Sequence, residues 1–322
     1  MTNDFKVIGI DLGGTNLKYG IFTPSGELDN LAYRPAEAQR GPERVIEKII
    51  DSIDQTLTGS EGKSISGIGV GVPGQVDRIT GVVRNPPNFP GWESENLREI
   101  IERKFDLPTY IDNDANAAAL GESVWGGGKN SRYFALITLG TGVGCGLILD
   151  NKVYHGVTGA AGEFGHTVIK YDGPVCLCGQ RGCIERYVGA QWIVKRAVNH
   201  LSNYPESALG RYVRGEKVSP KVISRLANEG DCLCRRVIED TGDFLGIALG
   251  SLVNLLNPDL ILIGGGVANA GTLLFDAAGR SLRKFSLPVP RATVKIEHAV
   301  LGENAGVIGA AQLAIDNLKN SV

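Results

Sequence analysis

With 322 residues, 43% hydrophobic and 21% charged, the chain is long enough for two domains and a sizeable core. Lys and Arg number 33 against 35 Asp and Glu, so no basic field argues for nucleic acid and a small molecule is the expected partner. The start, MTNDFKVIGID, lacks the basic and long apolar regions of a secretory signal, and the most apolar stretch, Phe244 to Ala268, is broken by Asn254 and Asn257-Pro258-Asp259. A cytoplasmic protein with reduced cysteines and no membrane span is expected.

In chain order, the pattern predicts strands near 6–12, 16–23 and 28–34, a helix near 42–57, a strand near 66–72, a helix near 94–105 and a strand near 109–112. Strands near 132–139 and 143–150 follow, then a cysteine-rich loop, several helices between about 190 and 255, and strands near 259–264 and 293–297. KVIGIDLGGTNLKYGIF and FALITLGTGVGCGLILD share one plan, strand, glycine turn, strand. This echo predicts two α/β lobes facing a cleft: 1–116 with a C-terminal helix 304–322 that crosses back, and 117–303. No linker separates them, so continuous packing with a hinge is expected.

Closely spaced glycines let backbone N–H groups cradle an anion. Asp11-Leu12-Gly13-Gly14-Thr15-Asn16 joins such a turn to a carboxylate and a hydroxyl, and Leu139-Gly140-Thr141-Gly142-Val143-Gly144 repeats it without the carboxylate. Gly264-Gly265-Gly266 follows LILI and precedes a helix, a place for a nucleotide base or ribose. Each alone also fits an ordinary tight turn; three in this order point to a nucleotide cleft. Gly69-Val70-Gly71-Val72-Pro73-Gly74 has the letters of a dinucleotide fingerprint, but Pro73 and QVDRITG do not open a helix, and Gly62-Lys63-Ser64 lacks the first glycine and strand of a P-loop.

PTYIDNDANAAALGE delivers Asp112, Asn113 and Asp114 where a strand gives way to a helix. One of the three is explained by N-capping, worth about 1 kcal/mol. The competing reading makes Asp114 a general base that takes a proton from a hydroxyl as its oxygen attacks a γ-phosphorus, with Asp11 helping to place magnesium. Asn88 and Gly91-Trp92 lie in a proline-stiffened loop that either closes on the substrate or packs Trp92 into a core, and Glu122 and Glu303 read as surface or helix-start residues.

Downstream, His166, Cys176, Cys178 and Cys183 stand at H-x9-C-x-C-x4-C spacing. Three thiols and an imidazole suit a closed tetrahedral zinc, with ordinary buried thiols or a disulfide pair as the alternative. Four protein ligands leave no open position, so a zinc here builds a loop rather than performs chemistry. That loop carries Glu163, Glu185 and the other ring nitrogen of His166. Cys232 and Cys234 read as ordinary cysteines of a helical pattern, and Cys145 as a small residue in a glycine-rich strand.

DLGGTN at 11–16, IDNDANAAALGE at 111–122, LGTGVGCG at 139–146, GAAGEFGH at 159–166 and CLCGQRGCIE at 176–185 together resemble the ROK family of bacterial sugar kinases and sugar-responsive repressors. The resemblance covers nearly the whole chain and implies the two-lobed actin-like, hexokinase-like ATPase fold with a structural zinc loop. It implies Asp114 as general base, Asn113, Glu163, His166 and Glu185 as sugar ligands, and His166, Cys176, Cys178 and Cys183 as zinc ligands. Phosphates fall to Asp11, Gly13, Gly14, Thr15, Gly140, Thr141 and Gly142, and adenosine to Gly265 and Gly266. Loss of zinc would then harm sugar binding and spare the phosphate site. The cofactors implied are ATP, Mg2+ and structural Zn2+, and the assembly a homodimer or homotetramer.

The activity implied is phosphorylation of a hexose, glucose at O6 first, with N-acetylmannosamine, fructose, mannose or allose as alternatives and polyphosphate as an alternative donor. The repressors of the family carry a helix-turn-helix domain ahead of DLGGT. Only ten residues precede Asp11 here, which favours the kinase over a non-catalytic sugar-responsive regulator.

Overall fold

The computed structural model describes residues 5–59, 64–215 and 217–320. Gly62 and Lys63 of the rejected P-loop lie outside them. The chain clusters into two compact units. The first holds the described residues within Met1–Arg132, Gly146–Ala161 and Val300–Val322, and the second holds Tyr133–Cys145 and Gly162–Ala299. The expected boundary at 116/117 falls inside a helix.

In the first unit, β1 (Lys6–Leu12), β2 (Asn16–Phe22), β3 (Leu28–Pro35), α1 (Pro42–Thr58) and β4 (Ile65–Val72) precede three short strands, β5 (Gln75–Asp77), β6 (Val82–Arg84) and β7 (Ser94–Asn96). Then come α2 (Leu97–Phe105), β8 (Thr109–Asn113) and α3 (Asp114–Trp125). The main sheet has the order β3-β2-β1-β4-β8, with β1 and β2 antiparallel and β1, β4 and β8 parallel. Its buried Ile8, Ile10, Val70 and Ile111 join Val45, Ile49 and Ile53 of α1 and Leu97 and Ile101 of α2 in one core. Because Asp11 is in register with Gly71 and Gly71 with Asp112, the parallel strands deliver two carboxylates to one sheet edge. Carboxyl ends of parallel strands are where ligands of such sheets bind.

The small sheet β5-β6-β7 was not foreseen, because strands of three residues carry too little alternation to register. It also shortens the helix expected near 94–105, for Asn96 caps α2 through a bond from Glu99 N–H.

The second unit begins with β9 (Tyr133–Leu139), and its boundary with the first falls within β10 (Val143–Leu149), which is followed by β11 (Lys152–Val153). Helices α4 (Glu185–Val188), α5 (Ala190–His200), α6 (Leu209–Gly215), α7 (Pro220–Asn228) and α8 (Cys232–Leu256) lead to β12 (Leu260–Gly264), α9 (Thr272–Phe285), α10 (Pro288–Thr293) and β13 (Lys295–His298). The second sheet runs β11-β10-β9-β12-β13, with β9, β12 and β13 parallel. No described helix is long and apolar enough to cross a membrane.

The last helix, α11 (Ala305–Asn320), belongs to the first unit, where Val307, Ala311, Ala314 and Ile315 pack on Val7 and Phe22. Glycines allow that approach: a methyl on Gly69 would overlap the Ala310 carbonyl, and one on Gly309 the Ala117 carbonyl of α3.

Candidate active site

The edge of the first sheet gathers the first half of the candidate residues. The Gly13 N–H closes the β1–β2 turn on Asn16 O at 2.9 Å, and Gly14 and Thr15 stay exposed. Asp11 stands at the foot of this turn. Desolvation first, then the Asp114 carboxylate, push its pKa up to about 7, against the pull of Lys18. A methyl on Gly306, in the first turn of α11, would sit 2.5 Å from the Asp11 carboxylate carbon, so the helix start closes one side of this group.

At the β8–α3 junction the three polar residues separate into three roles. Asn113 is the N-cap: its Oδ1 accepts from Ala115 N–H at 2.9 Å and Asn116 N–H at 3.4 Å, while its Nδ2 donates to Gly74 O at 3.2 Å. Asp112 is buried and points into a polar network with His155 and Arg78. Asp114 opens α3, and its charge is felt at Asp11. Capping therefore accounts for Asn113 and leaves two acids unexplained by helix formation.

One expectation is corrected here and one open choice is decided. Glu122 is fully buried, with Oε1 accepting from Leu301 N–H and Oε2 from Gly127 N–H, both at 2.8 Å. It ties the end of α3 to the approach to α11; its exposed-looking neighbours in sequence gave no sign of this. Trp92 is core, 3% exposed, with its Nε1 donating to Val83 O at 3.2 Å, so of the two readings of its loop the packing one holds. Glu303 is exposed, as expected, and pairs with Lys18 at 3.3 Å.

The second unit gathers the rest. Gly162 and Gly165 lie so close to the Cys145 and Val143 carbonyls of β10 that neither could carry a side chain, which fixes Glu163 and His166 on that strand. The Gly140 N–H closes the second glycine turn on Gly142 O at 3.0 Å. Gly265, with φ of 85°, packs on the Leu139 backbone, so the second and third glycine clusters are neighbours, and Gly265 and Gly266 are exposed.

His166, Cys176, Cys178 and Cys183 bring one ligand atom each within 4.8 Å of one another. Cys176 Sγ lies 3.7 Å from His166 Nδ1 and Cys178 Sγ 3.6 Å from Cys183 Sγ. Zinc–sulfur bonds of about 2.3 Å at tetrahedral angles require ligand separations of about 3.8 Å, so the donor set fits zinc in kind and in spacing. His166 turns Nδ1 to the thiols, which leaves Nε2 on the other side, 4.0 Å from Glu163 Oε2. Glu185, two residues after Cys183, accepts from the Val143 N–H of the second glycine turn at 3.1 Å. The residue that follows the cysteine loop is thus hydrogen-bonded to that turn.

The profile of the ROK family matches residues 7–317. A glucokinase of Halalkalibacterium halodurans is 37% identical over 97% of this chain and 95% of its own length. A xylose repressor of Caldicellulosiruptor bescii is 31% identical over 97% of this chain and 79% of its own. Among solved structures, a ROK family glucokinase from Streptomyces griseus in complex with glucose and AMPPNP superposes with a TM-score of 0.84 at 32% identity, covering 97% of this chain and 99% of that one.

Proposed function

Since the chain belongs to the ROK family and has its hexokinase-like two-domain α/β fold, we propose that it is an ATP-dependent hexose kinase acting in the cytoplasm, with glucose as substrate and glucose 6-phosphate as product. The observation that carries the reading is the pair of acids at one sheet edge, Asp11 near the end of β1 and Asp114 at the start of α3, close enough that the Asp114 carboxylate helps to raise the pKa of Asp11. Two carboxylates with separate neighbours divide the work of phosphoryl transfer: one takes the proton of the attacking hydroxyl and the other manages the charge of the phosphates.

In this reading Asp114 accepts the hydroxyl proton, and Asn113 orients a sugar hydroxyl with the donor capacity left after capping. Glu163, Glu185 and the Nε2 of His166 fix the remaining hydroxyls, since charged acceptors bind sugar O–H groups strongly. Gly13 and Gly140, whose N–H groups close the two turns, shape the cradles in which the backbone N–H groups of Gly14 and Thr15 and of Thr141 and Gly142 donate to phosphate oxygens, and Gly265 and Gly266 leave room for adenosine. The repulsion between Asp11 and Asp114 is what a divalent cation relieves, so Asp11 suits magnesium, held with substrate phosphates in the usual way. Magnesium, when bound, neutralises charge developing on the transferred group. Zinc held by His166, Cys176, Cys178 and Cys183 orders the loop that presents Glu163 and Glu185.

The xylose repressor supports a second reading, a sugar-responsive regulator, because it is 31% identical over 97% of this chain. ADP release with Mg-ATP and glucose, mannose, fructose, N-acetylmannosamine or N-acetylglucosamine decides between the two, with Asp114→Asn as control. Preference for glucose that collapses in the variant is expected. Binding of sugar without turnover, from folded zinc-loaded protein, replaces the kinase with the regulator.

A further inference from the structure

Asp112 is 3% exposed, yet four donors meet its carboxylate. Oδ1 accepts from Asn113 N–H at 2.8 Å and from Asn116 Nδ2 at 3.1 Å, both in the turn that opens α3. Oδ2 lies 2.7 Å from His155 Nε2 and 3.3 Å from Arg78 Nε. Arg78 Nη1 also lies 3.1 Å from His155 Nδ1. A guanidinium only donates, so His155 Nδ1 accepts and its Nε2 carries the hydrogen given to Asp112. The ring is thereby oriented from both sides. Arg78 is held in turn, because Arg98 of α2 donates to the Arg78 and Ile79 carbonyls, each at 2.7 Å.

His155 begins a loop that closes on itself, with Ala161 N–H donating to His155 O at 3.1 Å. A methyl on Gly159 would lie 2.7 Å from Val76 O of β5, so the loop rests on the β5–β6 hairpin. At Ala161 the chain leaves the first unit, and the next residues are Gly162 and Glu163.

Building on the kinase reading above, we infer that Asp112, His155 and Arg78 form a positioning clamp that fixes the base-bearing turn Asn113–Asp114 and the loop 155–161 leading to Glu163 as one unit. None of the three touches reacting atoms in this scheme. They act by leaving the Asp114 carboxylate and the entry to the sugar-binding segment a single arrangement, and misplacement of about 1 Å in such a constellation costs on the order of 100-fold in rate. An amide at position 112 would fail in either orientation, because its NH2 would face two donors whichever way it turned.

The test compares Asp112→Asn, His155→Phe and His155→Gln with wild type in steady-state kinetics, thermal melting and peptide-resolved hydrogen exchange. His155→Phe keeps ring size without a donor, whereas His155→Gln returns an N–H. Expected are kcat losses of about 10- to 100-fold in Asp112→Asn and His155→Phe, with the KM for ATP within about twofold, and recovery of most of kcat in His155→Gln. Exchange should quicken in both 113–118 and 156–161, the first through the lost bond to Asp112 and the second through the substituted residue itself. Unchanged exchange at 113–118 in His155→Phe overturns the clamp, as does wild-type kcat in that variant. Absence of wild-type turnover with every sugar would remove the kinase reading alone, because the exchange measurement judges the clamp without activity.

Discussion

Gly309→Ala tests whether the contact between α11 and α3 controls the base. On an isolated helix this change is favourable by about 1 kcal/mol. Here the new methyl would overlap the Ala117 carbonyl oxygen and lie 2.9 Å from Gly121 N, so the neighbours it meets are backbone atoms of α3 and cannot rotate away. Relief requires the two helices to part by more than about 1 Å, which loosens packing along their whole contact. Overpacking of this kind costs about 1–3 kcal/mol, and the overlap with fixed backbone atoms puts it at the upper end, so that after the propensity gain a net loss of about 2 kcal/mol remains. For a unit of this size that loss lowers Tm by roughly 4–8 °C. Because Asp114 is the first residue of α3, kcat should fall by about 10-fold or more while the KM for ATP holds. The matched control is Gly279→Ala in α9, where the nearest atom is the Arg283 side-chain tip at 3.5 Å and the same methyl should stabilise. Differential scanning fluorimetry and initial rates read both. A Gly309→Ala protein as stable and active as the Gly279→Ala protein would refute the argument that backbone proximity sets the position of α3.

Other outcomes follow from single groups. Asp11 has its pKa raised from 3.8 to about 7, so the folded state holds the proton more tightly than the unfolded chain, and its contribution to stability is lost as pH rises through that window. Asp11→Asn should therefore raise Tm in magnesium-free buffer at pH 8 and hardly at pH 4, and a difference independent of pH would contradict the assignment. Chelation of zinc should raise the KM for ATP as well as for sugar, because Glu185 joins the cysteine loop to the Val143 N–H; an unchanged ATP KM would sever that link. Glu122→Gln replaces one of two acceptors with a donor facing Gly127 or Leu301 N–H, at a cost of about 1–3 kcal/mol, and an unaltered Tm would show that the buried carboxylate is dispensable.

What the sequence revealed of the site follows from which interactions are local. Glycine turns, the strands around them and the spacing of His166 with its three cysteines are legible because each is a contiguous pattern with its own chemistry. The β1, β4 and β8 strands were likewise predicted to within a residue or so, since their apolar runs are interrupted by turn residues. The short strands β5 to β7 carry no such pattern. Glu122 was misread because the donors that satisfy it come partly from Leu301, 179 positions away, and a buried carboxylate leaves no mark on its own neighbours in sequence.

Asp112 shows the same limit from the side of function. In IDND, the sequence offers three polar residues and one physical account, capping, that uses a single one of them. The structure divides them by partner: Asn113 closes its own helix, Asp114 is coupled to Asp11, and Asp112 meets Arg78 and His155, which stand 34 and 43 positions away. Neither partner belongs to a motif. A buried carboxylate surrounded by four donors is costly to dislodge, since removing any partner leaves a charge short of its bonds. Such a group resists movement in every direction at once, which is the property a base needs from the residue two positions before it.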